Sequence, residues 1–270
     1  MLRCLPVPRA LILLATLATG SALAAPCAAP DHLTRVTGGR ECLIVKTYGQ
    51  ATDGRPTTLF VLLHGNHSDG SPATSQFRVA EALAARAEPD SIAVALIRPG
   101  YDDEQGQLSS GDAAGRADNF HAENIDTVAA AIARLKDFHG AARLVLLGHS
   151  GGAAMAGVIL GRHPGLADAA VLVGCPCDVQ AWRFMRGRPG AWRSESAVRY
   201  VDRVPTNARV AVLVGSRDDV TPPFLSRDYV AALSARGIAA DLSVIDGGSH
   251  VDVIRSPQVL DAALRLGRND

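Results

Sequence analysis

Short apolar runs alternate with longer amphipathic stretches from about residue 43 to the C-terminal end, and this rhythm constrains the fold more than any other feature of the chain. Residues 58–63, 92–97, 143–147, 169–173 and 209–214 are runs of Val, Leu, Ile and Ala with almost no polar member. Such runs suit strands covered on both faces, because a strand with one wet face would alternate. Residues 43–48 do alternate and predict an early strand near a sheet edge; residues 241–245 predict the last strand. Between them, residues 76–87, 122–138, 151–162, 224–235 and 257–266 have helical spacing. The expected fold is α/β: a mostly parallel, doubly wound sheet of about eight strands flanked by helices. Two stretches break the rhythm. Residues 98–118 read as a long loop rich in Gly, Asp and Ser, and residues 178–205 as a small helical cap carrying two tryptophans and six arginines.

Hydrophobic residues make up 47% of the 270, enough for one large core and therefore one domain. Basic and acidic residues balance at 27 each and aromatics are 4%, which argues against a nucleic-acid partner. The N-terminus has the form of an export signal: Arg3 and Arg9, an apolar run at residues 10–19, and Ala22-Leu23-Ala24 as a cleavage pattern. That run is shorter than a membrane span needs, so residues 1–24 are expected to be removed and no stable membrane insertion to remain. The domain expected after cleavage is 25–270, periplasmic or secreted. Export permits disulfides. Of the four remaining cysteines, Cys27 and Cys42 would tie the N-terminal arm to the first strand. Cys175-Pro176-Cys177 leaves two alternatives, a very small disulfide ring or two packed thiols. No spacing suggests a metal site, a phosphate loop or a dinucleotide site, so no cofactor is expected.

The strongest chemical signal is the run Leu144 to Gly148 followed by His149-Ser150-Gly151-Gly152 and an amphipathic stretch. It places Gly-x-Ser-x-Gly between a buried strand and a helix. A serine in so sharp a turn needs small neighbours, and the helix start aims free N–H groups at the same point. Here the chain resembles the α/β-hydrolase superfamily over nearly its whole length, extending to prolyl-oligopeptidase-like catalytic domains and dienelactone-type hydrolases.

That resemblance implies a nucleophile, an acid and a histidine in that chain order. Ser150 takes the first place. Gly215-Ser216-Arg217-Asp218 resembles the family's acid segment, making Asp218 the acid and Asp219 the alternative. Asp246-Gly247-Gly248-Ser249-His250 ends the last strand, making His250 the base. His149 is held too tightly beside Ser150 to act as base, and His163, at a helix end before Pro164, has the place of a solvated capping residue. The oxyanion hole implied by the family consists of the backbone N–H groups of Gly151 and Asn66, the latter in the segment Leu63-His64-Gly65-Asn66, with His64 bracing the loop.

The reaction implied is acyl transfer through Ser150, on a small-molecule ester or, as the alternative, a short peptide. A non-catalytic binding protein of the same fold is the competing class. In the cap, Trp182, Arg183, Arg186 and Trp192 are the candidate substrate contacts; Arg188 and Arg193 share the segment, and a solvated arginine face is the simpler account of all of them. Nothing in the sequence specifies an oligomeric state.

Overall fold

The computed structural model describes residues 1, 27, 30–50, 57–117 and 119–268. The expected export signal therefore lies, apart from Met1, outside the described residues.

Eight strands form one sheet: β1 (Arg35–Gly38), β2 (Glu41–Tyr48), β3 (Thr57–Leu63), β4 (Ser91–Leu96), β5 (Ala141–His149), β6 (Ala169–Val173), β7 (Arg209–Gly215) and β8 (Ala239–Ile245). The spatial order is β1-β2-β4-β3-β5-β6-β7-β8. β2 runs antiparallel to both β1 and β4, and every later pairing is parallel. The sequence rhythm did not reveal β1. It has four residues, too few to show a period, and it is held by a hairpin through Gly39, whose φ of 56° lies in the left-handed region that glycine enters without strain.

Among the described residues five helices cover the sheet, α1 (Phe77–Arg86), α2 (Ala122–Phe138), α3 (Gly151–Arg162), α5 (Pro223–Ala235) and α6 (Pro257–Gly267), and α4 (Val179–Met185) stands apart from it. The two-residue period of the strands divides the core. On β3, Leu59, Val61 and Leu63 face a layer with Val128 and Ile132 of α2, Met155 and Val158 of α3, and Tyr229 of α5. Phe60 and Leu62 point the other way, onto Val79 and Leu83 of α1 and Val259 and Leu266 of α6. The central strands are apolar on both sides because both sides are covered, whereas the edge strand β8 has no buried residue.

The cap segment is α4, a loop, and a short 3-10 turn at Ala197–Arg203. Asp178 caps α4 by accepting the amides of Gln180 and Ala181. Two disulfides are present, Cys27–Cys42 and Cys175–Cys177, and both members of the second are fully buried. Among the described residues no helix is long and apolar enough to cross a membrane, and no group of three or more His, Cys, Asp or Glu is arranged to hold a metal.

Candidate active site

Ser150 stands between the end of β5 and the start of α3 with φ 53° and ψ −120°, an unfavourable region for a residue with a Cβ. The turn is held by the Ser150 amide, which donates to Val173 O at 2.8 Å. It closes only because its flanks are glycines. A Cβ on Gly148 would run into the Gly152 carbonyl, and one on Gly152 into the carbonyl oxygens of Leu63 and His64.

The loops after β7 and β8 bring the other two residues to this point. His250 Nε2 lies 3.0 Å from Ser150 Oγ, and His250 Nδ1 lies 2.8 Å from Asp218 Oδ2. A carboxylate only accepts, so Nδ1 carries the proton and donates to Asp218, leaving Nε2 of the neutral ring free to accept from the serine hydroxyl. Burial alone would raise the Asp218 pKa. The bond from His250, its positive field when protonated, and donors on Thr221 outweigh that and hold it below the usual carboxylate range. Those donors are the Thr221 amide at 2.7 Å and its hydroxyl at 2.8 Å; the Val220 amide adds a third contact at 3.0 Å. Asp219, by contrast, is exposed and does not reach the ring.

Three residues that support this arrangement were not assigned a role from sequence, or only a partial one. His149 donates through Nε2 to the His250 carbonyl at 2.8 Å and so braces the base loop; burial and the neighbouring His250 lower its pKa to about 4, which keeps it neutral. His64 is fully buried and, as expected, braces its loop: Nδ1 donates to Gly65 O at 2.7 Å while Nε2 accepts the Arg98 amide at 3.0 Å. Arg98 is the third. Its side chain is fully buried with no carboxylate partner among the described residues, and donates to Gly65 O at 3.1 Å and Asn66 Oδ1 at 2.7 Å. Its Nη1 is unpartnered and lies 3.2 Å from where a Cβ on Gly151 would sit. Asn66 Oδ1 occupies that same spot, so the Asn66 side chain is packed onto Gly151. The chain that follows β4 is therefore tethered at Arg98, and Asn119 Nδ2 holds it again by donating to Pro99 O and Asp112 O.

Two cavities meet at Ser150. One, about 420 Å³, runs past His67, Ser71, His149 and Val251. The other, about 280 Å³, lies under the cap and includes Asn66, Gly151, Trp182, Arg186, Arg188 and Trp192 in its lining. Of the candidate substrate contacts, Trp182, Arg186 and Trp192 line this cavity. Arg183 does not. It is buried behind the wall, donates to Gly190 O at 2.8 Å and lies 3.7 Å over the Trp192 ring, because its position on α4 points it into the cap interior. His163 is not a free solvated cap either: Nε2 bonds Asp126 at 2.8 Å.

Residues 112–265, more than half of the chain, match the model of the prolyl oligopeptidase family. The chain belongs to the prolyl oligopeptidase family. Its eight-stranded sheet is the α/β-hydrolase fold, and solved structures bear this out. Est1E from Butyrivibrio proteoclasticus, solved with ferulic acid bound, superposes with TM-score 0.65 at 14% identity over 86% of this chain and 96% of its own. The Pyrococcus furiosus esterase Pf2001 gives 0.63 at 17% identity, over 86% and 88%. An acylaminoacyl peptidase from Pyrococcus horikoshii gives 0.63 at 15% identity over 85% of this chain but only 39% of its own, so this family member spans well under half of that peptidase. No curated protein sequence matches the chain.

Proposed function

We propose that the protein is an exported serine hydrolase that cleaves carboxylic ester bonds through a Ser150–His250–Asp218 acyl-enzyme mechanism. The observation that carries this is the unbroken relay from Asp218 Oδ2 through the His250 ring to Ser150 Oγ, 2.8 and 3.0 Å, at an elbow open to two cavities. In this reading Ser150 Oγ attacks the ester carbonyl as His250 Nε2 takes its proton. The negative charge that develops on the carbonyl oxygen is met by the N–H groups of Gly151 and Asn66, with Arg98 holding the 65–66 peptide in place. His250 returns the proton to the departing alkoxide. Water then attacks the acyl-serine by the same route, releasing the acid and restoring Ser150.

Family membership favours peptide amides as the second reading. Esters are preferred because small esterases superpose over nearly their whole length, whereas this chain covers 39% of the peptidase. The N-terminal pattern and the buried and N-terminal disulfides support export. A fluorophosphonate probe followed by a panel of acyl esters and peptide amides tests the proposal. Labelling of wild type, its loss in Ser150→Ala, and a fall in ester turnover of at least about 10⁴-fold are expected. Folded protein that neither labels nor turns over esters rejects it, and faster cleavage of amides than of matched esters replaces it by the second reading.

A further inference from the structure

The cap-side cavity carries a charge pattern that the hydrolysis mechanism does not use. Its walls are apolar and aromatic: Phe120, Pro176, Trp182 and Trp192. Among the described residues its charged lining consists of Arg186 and Arg188, with no aspartate or glutamate. The walls are fixed. Trp182 Nε1 donates to Val220 O at 2.7 Å, and the two indoles meet edge to face at 6.2 Å. Arg183 backs Trp192 from inside the cap.

The arginines of this segment divide by what they bind. Arg183 is consumed by Gly190 O and the Trp192 ring. Arg193 is paired with Asp112 at 3.0 Å and Glu123 at 3.3 Å. Arg186 has only a long contact to the Asp219 carbonyl, 3.5 Å, and the Arg188 guanidinium has no partner among the described residues. Arg186 and Arg188 line the cavity, and neither guanidinium meets a carboxylate among the described residues; Arg199 and Arg203, also without one, lie outside the lining. Buried Arg98, on the far side of Asn66, adds positive charge without a carboxylate partner of its own.

Taken with the hydrolase reading, on which it rests, we infer that the cap-side cavity selects substrates whose limb bears a carboxylate on a flat apolar spacer. The spacer packs against the indole wall, and the carboxylate reaches Arg186 and Arg188. A cavity of about 280 Å³ limits that limb to roughly one ring and a short arm.

The test uses two matched pairs of esters. In one pair the carboxylate is on the acyl limb, p-nitrophenyl hemisuccinate against p-nitrophenyl butyrate; in the other it is on the alcohol limb, 4-acetoxybenzoate against its methyl ester. In at least one pair, wild type is expected to prefer the anion, and R186A/R188A to lower the anion-to-neutral ratio of kcat/KM about tenfold, mainly through KM. Added salt is expected to erode the wild-type preference, since both arginines are exposed. Fluorophosphonate labelling verifies that the variant keeps a competent Ser150. Labelling retained with ratios unchanged in both pairs overturns the inference and leaves the hydrolase reading standing. Wild-type protein that neither labels nor hydrolyses any of the four esters overturns both.

Discussion

Replacing Arg98 by methionine separates what this residue does for folding from what it does for catalysis. The methionine fills the volume of the arginine stem and removes the guanidinium. Lost are two bonds from a charged donor, to Gly65 O at 3.1 Å and Asn66 Oδ1 at 2.7 Å, worth about 1.5–3 kcal/mol each, and the stack on Tyr101 at 4.9 Å, worth about 1 kcal/mol. Against these stands the cost of burying a guanidinium without a carboxylate, several kcal/mol. Gly65 O keeps its bond from His64, so only Asn66 Oδ1 loses its sole acceptor bond. The opposing contributions nearly cancel, and stability is expected to change by no more than about 2 kcal/mol in either direction. Activity has no such compensation. Asn66 is freed from its seat over Gly151, and its amide is one of two proposed oxyanion donors. Outright loss of a donor costs about 10² to 10³ in kcat; displacement of its support is expected to cost about 10- to 100-fold, with KM nearly unchanged. Urea unfolding and ester kinetics on the same preparation read both quantities, and Arg98→Lys, which can reach one acceptor, is expected to fall between. A kcat within twofold of wild type refutes the role given to Arg98. So does an activity loss that follows the fraction of protein unfolded.

Asp218→Asn is expected to lower kcat by about 10⁴ through the wrong ring tautomer, Thr221→Val, which leaves Asp218 three of its four donors, by tenfold or less, and exposed Asp219→Asn by under twofold; ester kinetics rank the three, and equal effects at 218 and 219 would reverse the assignment. Gly152→Ala drives a Cβ into the carbonyls of Leu63 and His64, backbone that cannot give way, and is expected to cost about 1–3 kcal/mol and most of the activity, read by thermal melting and labelling. Acid is expected to destabilise the fold well above the carboxylate range. His149 binds its proton near pH 6.5 when unfolded but only near 4 when folded, so its contribution is complete above 6.5 and disappears as pH falls toward 4. That is worth up to about 3 kcal/mol, and desolvated His64 acts in the same direction. His149→Gln, whose amide can still donate to the His250 carbonyl, is expected to flatten urea stability between pH 7 and 5, and an unchanged slope would remove this account.

The fold was legible because its central strands are buried on both faces and leave uninterrupted apolar runs. β6, α2 and α3 have the bounds the sequence implies, and the rest agree to within two residues. β1 escaped because four residues hold no period. The residues brought together at Ser150 were legible because each closely follows a strand, where glycine and polar residues interrupt an apolar run. Arg98 also follows a strand, but a single arginine opening a loop of Gly, Asp and Ser looks solvated until the loop is seen folded back over it. Arg183 and Arg188 were indistinguishable for a related reason: five residues apart in an arginine-rich segment, they differ in whether α4 turns them inward or leaves them at its end.

The β3–β5 pairing ties together two halves with unequal duties. Everything that would attack and shuttle protons, Ser150, Asp218 and His250, comes from the stretch matching the family, while Asn66 and Arg98 come from the part of the chain before it. β4-β3 is laid beside β5 so that Leu63 pairs with Gly148, one residue of register fixing both the nucleophile turn and the loop that would receive the oxyanion. A slip there would leave each half intact and the two misaligned. Substitutions that disturb this seam are therefore expected to cost activity although the seam contains no reacting group.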